Sequence, residues 1–406
     1  MIIASIIELR IKIYQSSFFN NLQQRTEIMY EMGKAEIDAV IKVLKSKQFM
    51  RYRGGEGGFT ETFERELCEK FNISHALTVN SGTSALICAL AAMGVGPGDE
   101  VIVPAYTWVA SALAPLAVGA VPVMADINET MTIDPADIER KITKYTKAII
   151  PVHMTNLACD MNAIMKIAKK HKLLVCEDAC QAAGVSYKGK RLGTIGHTGA
   201  YSFNQFKNIT CGEGGAIVTN DDRTYERSLM YHDAGAFTRN YASSVKEPFF
   251  PGVNYRVSEI LGAILGEQLK RLDGILAKLQ ERRKIMVDIF AVTDKFKVVE
   301  HNDEANAVGL DIIFDSPKKA LAFKEKHKIG LLIESGRHVY TNWEPLLEQR
   351  SFHPRMNPFN WTQRKIVYTQ DMCKDTLEIL SRAMNIGIPY GMNKNDVKAY
   401  AKKLIA

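Results

Sequence analysis

The chain has 406 residues, which is enough for a large core and favours two domains. Apolar residues make up 46% of the sequence and charged residues 24%, as expected for a soluble globular protein. The net charge of +7 comes from 52 basic and 45 acidic residues spread along the chain. The sequence therefore lacks the dense basic block that would favour a nucleic-acid partner.

Residues 1–30 are predicted to form an N-terminal extension. Their start, MIIASIIELRIKIYQ, is apolar but has no basic n-region and is too short to cross a bilayer. We expect a helix that packs on the rest of the protein or on a partner, and no membrane association. The seven cysteines are odd in number, form no CxxC pair and have no usual zinc spacing. They predict reduced thiols in a cytoplasmic protein, and no metal site.

Between about residues 75 and 220, short apolar runs alternate with helical segments. The runs that predict buried strands are ALTVN (76–80), EVIVP (100–104), VPVMA (121–125), KAIIPVH (147–153), KLLVCED (172–178), GAYSF (199–203) and GAIVT (215–219). Helices are predicted at 84–94, 107–118 and 160–171. This alternation predicts the α/β fold class, with a mainly parallel seven-stranded sheet flanked by helices. In such sheets, ligand sites collect at the carboxyl ends of the strands.

A long helix is predicted at about 256–290, where apolar side chains recur three and four residues apart. The segment AVGLDIIF (307–314) then alternates as a half-buried strand does. A helix at 316–327, a strand at 329–333 and a helix at 394–405 complete a smaller C-terminal α+β domain. We expect the large domain to span 31–275 and the small one 276–406, with the long helix as the bridge.

The segment NSGTSAL, residues 80–86, predicts a phosphate site. A strand ends there, a Ser-Gly-Thr turn follows and a helix begins. The glycine lets backbone N–H groups approach a ligand, and the helix N-terminus favours an anion. The alternative is an ordinary N-cap, in which a hydroxyl closes the start of the helix.

Two further strand ends carry candidate ligand-binding side chains. Asp178 follows an apolar strand in CEDACQAAG, with Gln181 three residues later. A buried carboxylate needs a positive partner or several donors, and the alternative is a helix-capping aspartate. Trp108 follows the EVIVP strand in PAYTWVAS, so its indole is available to lie over a flat ring. Packing in the core is the alternative for this tryptophan.

Lys207 is the only charged residue in YSFNQFKNITCG, and a solvated surface lysine is the simplest interpretation of it. Pyridoxal 5′-phosphate (PLP) favours another. This cofactor has a phosphate, a ring nitrogen that pairs with a carboxylate and an aldehyde that condenses with lysine. The chain offers one candidate for each, in the order phosphate turn, acid, lysine. An amine held near positive groups and out of water is also activated for attack on a carbonyl.

These motifs occur within a longer pattern that resembles the vitamin-B6-dependent sugar aminotransferases of the DegT/DnrJ/StrS group, which have the aspartate-aminotransferase-like fold type I. The pattern is VNSGTSAL…GDEVIVPAYTWVAS…GAVPVMADI…KAIIPVH…EDACQAAG…GTIGHTGAYSF…KNITCGEGGAIVTND…NYRVSEILGAI. It covers roughly residues 30 to 295 in order. The tail IGIPYGMNKNDVKAYAKKL resembles the C-terminal segment of the group.

The resemblance implies a role for each matching residue. Lys207 would bind the cofactor aldehyde and act with Asp178 as a catalytic residue, with Asp178 on the ring nitrogen. The other implied cofactor contacts are Gln181 beside the phenolic oxygen, Trp108 stacked on the ring, Gly82 and Thr83 on the phosphate through their N–H groups, the Ser202 hydroxyl assisting, and Asn254 reaching the phosphate of the neighbouring subunit. Arg256 is the alternative to Asn254. A shared site implies a homodimer.

The implied activity is transfer of an amino group from L-glutamate or glutamine to a keto-sugar. A nucleotide-linked 4-keto-sugar for surface polysaccharide or lipopolysaccharide is expected first. The segment RHVYTNWEPLLEQR departs from the group's short PLH-type segment, which leaves a free or phosphorylated keto-sugar or a keto-cyclitol as an alternative. Arg337, His338 and Trp343 are candidates for substrate contact in that segment, with a packed loop as the alternative.

Other candidates and other activities follow from single residues. His153 ends a predicted strand, and Tyr52 and Arg53 lie in FMRYRGGEGG, so each is a weaker candidate for the site. A dehydratase of the same group would carry histidine in place of Lys207. A cysteine desulfurase would need a reactive thiol, for which Cys211 is the candidate. A non-catalytic regulator would have lost the lysine, the acid or the phosphate turn.

Overall fold

The computed structural model describes residues 31–52 and 57–406. The predicted extension, residues 1–30, and Arg53 lie outside the described residues. Within the described ranges, no helix is both long enough and apolar enough to span a membrane.

A seven-stranded sheet forms the centre of the molecule. Its strands are β1 (His75–Val79), β2 (Glu100–Pro104), β3 (Val121–Ala125), β4 (Thr146–Ile149), β5 (Leu174–Asp178), β8 (Thr198–Ser202) and β9 (Gly215–Thr219). A small hairpin of β6 (Ser186–Tyr187) and β7 (Lys190–Arg191) precedes β8. The strand order is β1-β9-β8-β5-β4-β2-β3, and only β9 runs antiparallel to its neighbours. The predicted mainly parallel sheet is confirmed, including all seven apolar runs.

Helices cover both faces of this sheet, because its strands carry apolar side chains on both sides. In β2, for example, Val101 and Val103 join one buried cluster and Ile102 joins the other. The helices of the large sheet are α1 (Lys34–Ser46), α2 (Phe59–Phe71), α3 (Gly82–Ala92), α4 (Ala110–Ala117), α5 (Pro135–Lys141), α6 (Met161–His171), α7 (Asp222–His232) and α8 (Glu259–Phe290). Side chains of α3, α4 and α7 pack on one face, and those of α2, α5, α6 and α8 on the other.

Helix α8 is the predicted long helix, and it passes through residue 275 without a break. Its first part packs on the large sheet through Leu265, Leu269 and Leu272. Its last part, with Met286 and Phe290, packs on a second sheet. The proposed division of the chain into domains at this residue stays a prediction.

The second sheet has three antiparallel strands, β10 (Lys297–Val298), β11 (Asp311–Ile313) and β12 (Ala383–Asn385). The remaining helices are α9 (Pro317–His327), the one-turn α10 (Glu344–Leu347), α11 (Lys374–Ser381) and α12 (Lys394–Ile405). The predicted strand at 329–333 is wrong. Leu332–Glu334 form a 3₁₀ turn, in which the Glu334 carboxylate accepts the Leu331 N–H at 3.2 Å. That contact uses the donor that a strand ladder would need.

Candidate active site

The carboxyl ends of three strands meet at one edge of the large sheet. Asp178 ends β5 and is in register with Ala200 of β8. Ser202 ends β8, and the turn that starts α3 follows β1. A Cβ atom added to Gly82 would lie 2.7 Å from Ser202 Cβ and 2.8 Å from Cys180 Sγ. The predicted phosphate turn, the acid strand and Ser202 are therefore close neighbours.

Asp178 is buried, with 4% of its surface exposed. Its Oδ2 atom accepts a hydrogen bond from Ser111 Oγ at 2.7 Å, and its Oδ1 atom accepts one from the Cys180 N–H at 3.1 Å. Thr107 Oγ1 lies 2.7 Å from Ser111 Oγ and extends the network. Because these donors orient the carboxylate, it is a fixed anion at the sheet edge.

Lys207 lies on the loop between β8 and β9, which returns the chain past the same edge. Its N–H donates to Asn204 O at 3.0 Å, so the loop is tightly turned at that point. Burial lowers the pKa of the Lys207 amine from its ordinary value, while the nearby Cys180 and Asp178 oppose that shift. A partly buried amine with a lowered pKa beside a carboxylate is a candidate nucleophile.

The phosphate turn combines both expected roles. Ser81 is the N-cap of α3, because its Oγ atom accepts the Ser84 N–H at 3.0 Å. Gly82 and Thr83 are the first residues of the helix, where N–H groups have no intrahelical acceptor. The turn is thus capped, and it still presents backbone donors at a helix N-terminus to an anion.

Trp108 is 41% exposed, which excludes the core-packing alternative. The Arg337 guanidinium lies 5.6 Å from the Trp108 ring centroid, and the His338 ring lies 5.2 Å away at 57°. Trp343 is instead buried, and its Nε1 donates to Arg337 O at 2.8 Å. Arg337 and His338 therefore border the site, whereas Trp343 belongs to the packed loop.

Gln181 and Asn254 occupy different surroundings. Both ends of the Gln181 amide face the turn after β4, since Oε1 accepts the Thr155 N–H at 3.2 Å and Nε2 lies 3.4 Å from Met154 Sδ. Asn254 is exposed. Arg256, the alternative to Asn254, is paired with the buried carboxylate of Asp233 in its own subunit.

His153 does not face the site, contrary to the prediction from its place at a strand end. Its side chain is fully buried, and Nε2 lies 3.1 Å from Glu177 Oε2. Successive residues of a strand point to opposite faces, so Glu177 and His153 lie on the α6 side of the sheet while Asp178 faces α4. Tyr52 bonds through its hydroxyl to His232 Nε2 at 3.0 Å.

The thiol of Cys211 is not reactive in this fold. Burial raises the pKa of Cys211 to about 12, and the thiol donates to Glu213 O at 3.2 Å. This environment argues against a desulfurase.

The sequence pattern missed two residues of the site. Ser111 holds Asp178, and Cys180 packs against Gly82 at the same edge. The signal for Ser111 was its spacing, three residues after Trp108, which brings both to the start of α4. The Cys180 contact depends on how the turn after β5 folds, for which the sequence carries no pattern.

Residues 30–404 match the DegT/DnrJ/EryC1/StrS aminotransferase family. The chain belongs to this family. It is 44% identical over 225 residues to the GDP-perosamine synthase of Caulobacter vibrioides, over 54% of this chain and 59% of that protein. It is 42% identical over 228 residues to the GDP-perosamine synthase of Escherichia coli O157:H7, over 56% of this chain and 61% of that protein. The chain thus spans about three fifths of the length of the curated relatives it matches.

The structure of a 3-amino-5-hydroxybenzoic acid synthase superposes with a TM-score of 0.77 at 27% identity, covering 92% of this chain and 96% of that one. The fold predicted from the sequence is therefore the fold of this aminotransferase family.

The residues at the sheet edge fit PLP. Because Gly82 has no Cβ, the turn packs directly against Ser202 and Cys180, and its backbone N–H groups lie at the helix N-terminus beside them. Asp178 offers a fixed carboxylate, Lys207 an amine with a lowered pKa, and Trp108 an exposed aromatic face. This donor set matches the phosphate, ring nitrogen, aldehyde and ring of the cofactor one by one.

Proposed function

We propose that this protein is a PLP-dependent aminotransferase that transfers an amino group from L-glutamate or glutamine to a keto-sugar. The observation that carries the proposal is the meeting of Lys207, Asp178 and the Gly82 turn at one sheet edge. A nucleotide-linked 4-keto-sugar is the first candidate substrate, because both curated relatives are GDP-perosamine synthases.

Each side chain has a defined task in this reaction. PLP, when bound, supplies an aldehyde that condenses with amines and a ring that accepts electrons from the adjacent carbon. Asp178, oriented by Ser111 and the Cys180 N–H, would pair with the ring nitrogen and favour its protonated form. Lys207 Nζ would take the proton from the α-carbon of the amino donor and deliver it to the cofactor carbon that carries the donor's nitrogen.

The surrounding residues orient the reactants. The N–H groups of Gly82 and Thr83, with the Ser202 hydroxyl, would hold the phosphate of PLP, and Trp108 would offer its aromatic face to the ring. Because the site is partly buried, the Lys207 amine is poorly solvated and has a larger neutral fraction than a surface lysine.

A smaller keto-sugar or a keto-cyclitol is the second candidate substrate. It is favoured by Arg337 and His338, which lie beside the Trp108 ring and come from the segment that departs from the PLH-type pattern. The product named for the structural neighbour, 3-amino-5-hydroxybenzoic acid, also carries no nucleotide.

We infer a homodimer in the cytoplasm. Helix α1 exposes Ile37, Ile41 and Leu44 at a spacing of four and three residues, and Phe206, next to Lys207, is 61% exposed. A second copy of the chain would cover these side chains and bring its own Asn254 to the phosphate. All seven cysteines are unpaired, as expected in a reducing compartment.

The test of the function is spectroscopic. We expect the purified protein to be yellow with PLP and to lose that absorbance when L-glutamate is added. Lys207→Ala should abolish the band and reduce transfer by about 10³-fold or more, since it removes both the attachment point and the proton carrier. Lys190→Ala, at an exposed lysine of β7, is the control. A colourless wild type would contradict the proposal. The acceptor is identified by testing a panel of nucleotide-linked and free keto-sugars and detecting the aminated product by mass spectrometry.

A further inference from the structure

The turn after β4 is held in an unusual backbone conformation. Thr155 has a φ of 49° and Asn156 a φ of 64°, both in the left-handed region. This region is rare for β-branched residues such as threonine. Such a conformation persists only where neighbouring groups determine it, and it marks sites where geometry serves a function.

On one side, this 154–156 turn contacts the residues around Lys207. Thr155 N–H and Met154 Sδ hold the two ends of the Gln181 amide. Asn156 Oδ1 accepts a hydrogen bond at 2.8 Å from Nδ2 of Asn208, the residue after Lys207. The turn therefore fixes the position of one candidate cofactor contact and of the loop that carries the lysine.

On its other side, the turn packs on the small sheet. A Cβ atom added to Gly309 would lie 2.1 Å from Thr155 O, so the two backbones touch. Asp311 of β11 is 1% exposed, and its Oδ1 accepts a hydrogen bond from Asn385 Nδ2 at 2.6 Å. Asp311 Oδ2 and Thr155 Oγ1 are both buried, and neither has a hydrogen-bond partner in the described part of the chain. The Thr155 hydroxyl is near enough to this carboxyl group to oppose the rise in its pKa.

Few charged groups balance Asp311. Burial raises the pKa of Asp311 to about 7, while Asn385 and the Thr155 hydroxyl oppose that shift. Arg283 of α8 donates to Gly309 O at 2.7 Å, two residues before Asp311, and pairs with Glu304. The half-buried His301 lies beside the same arginine, and burial together with Arg283 lowers the pKa of His301 to about 4.

We propose that Asp311 and Thr155 are positioning residues of the active site, in which the small-sheet carboxyl group and the Thr155 hydroxyl together hold the left-handed turn that orients Gln181 and Asn208 beside Lys207. This inference rests on the proposed function for its catalytic consequence. It assigns to the small sheet a role in the geometry of the site on the large sheet.

The first variant removes the hydroxyl. Thr155→Val keeps the shape of the side chain but removes the hydroxyl that we propose to face Asp311 Oδ2. We expect the absorbance band of bound PLP to shift or broaden and kcat to fall about tenfold, with the KM for the keto-sugar changing less than about threefold. Thr155→Ser should restore the wild-type absorbance band and kcat. If Thr155→Val does not accumulate as folded protein, the absorbance band and kcat of Thr155→Ser and Asp311→Asn are compared with those of the wild type instead, since both substitutions keep the local shape.

The second variant tests the carboxyl group without PLP. Because the folded-state pKa of Asp311 lies above its unfolded value, its contribution to stability is present at pH 4 and is lost as the pH rises through about 7. The wild-type apoprotein should therefore lose a few degrees of melting temperature between pH 5 and pH 8 relative to Asp311→Asn. Asp315→Asn, at an exposed aspartate paired with Lys319, is the matched control and should follow the wild type.

The outcomes separate the two proposals. A colourless wild type overturns the proposed function, and the inference falls with it. A yellow wild type whose spectrum and kcat are unchanged in Thr155→Val overturns the inference alone. Parallel melting curves of the wild type and Asp311→Asn across that pH range also overturn it.

Discussion

Asp178 shows how one residue acquires a chemical role from its neighbours. A buried carboxylate is costly unless donors or a positive charge compensate it. Here Ser111 and a backbone N–H satisfy one oxygen each, and burial lowers the pKa of the nearby Lys207 amine. Neutral donors thus orient the carboxyl group, and among the described residues no ion pair of Asp178 within 4.0 Å is found. A protonated ring nitrogen is a cation suited to this carboxyl group.

The close approach at Gly82 leads to a prediction. In Gly82→Ala, the new methyl group would lie within 2.8 Å of Ser202 and Cys180. We expect a loss of about 1–3 kcal/mol in the free energy of unfolding, as for other overpacked sites, and PLP affinity reduced at least tenfold because the turn moves. Gly266→Ala is the matched control: nothing lies within 4 Å of that Cβ in α8. Alanine there should stabilise the helix by about 0.5–1 kcal/mol.

Chemical denaturation and a PLP titration measure the two effects separately. A Gly82→Ala protein that binds PLP as tightly as the wild type would show that this turn does not hold the phosphate.

Residue identity and order predict Lys207, Asp178 and the Gly82 turn as one site, and the structure brings Asp178 and the Gly82 turn together at one sheet edge. The same reasoning makes His153 a weaker candidate, because it ends an apolar run. In the structure β4 ends at Ile149, and the four residues that follow carry His153 to Glu177. Ser111 was missed because its spacing from Trp108 shows only that the two side chains lie near each other, and its partner Asp178 comes from a different strand.

At the scale of elements, the seven strands were predictable because each is a short apolar run between turns. The run at 329–333 has the same composition but forms a 3₁₀ turn, and the three-residue strand β12 was missed. Short apolar runs do not distinguish a strand from a buried turn. In the small sheet, pairing between segments that are distant in the sequence determines which segments form strands.

The segment after α10 protects an edge of the large sheet. The outermost strand is β3, and Tyr368 donates through its hydroxyl to Pro122 O at 2.6 Å. Trp361 lies against Gly119, at the start of the same strand. Arg364 pairs with Glu100, a carboxylate of β2 that is 1% exposed. Covering an edge in this way prevents its pairing with another chain.

Arg364→Ala should destabilise the protein and expose that edge. Breaking a fully buried ion pair costs about 3–5 kcal/mol, but the Arg364 side chain is 38% exposed. We therefore expect a loss of roughly 2 kcal/mol in the free energy of unfolding, together with increased light scattering on heating. Arg350→Ala, in the same segment, breaks exposed ion pairs with Glu344 and Glu348 and should change stability by less than about 0.5 kcal/mol. Equal effects of the two substitutions would mean that the segment does not protect the edge.

At the scale of the whole molecule, the proposed site extends to a second copy of the chain. The resemblance assigns Asn254 to the phosphate of the neighbouring subunit, and Asn254 is exposed in the structure. The exposed apolar side chains of α1 and Phe206 have no covering element among the described residues. A second copy of the chain that covers them would also complete the site, which links assembly to activity.

Complementation between inactive variants tests this linkage. If Asn254 serves the neighbouring subunit, a dimer of one Lys207→Ala chain and one Asn254→Ala chain contains one intact site and one site with both defects. Co-expression in equal amounts should therefore restore about one quarter of the wild-type activity, since random pairing makes half of the dimers mixed.

The control pairs Lys207→Ala with Asp178→Asn. Both of those residues come from the same subunit in each site, so every mixed dimer has two damaged sites and activity should stay at background. Recovery in the first pair but not in the second would require a shared site. Background activity in both would mean that Asn254 acts within its own chain, whereas an Asn254→Ala chain that is active alone would mean that Asn254 has no role in the site.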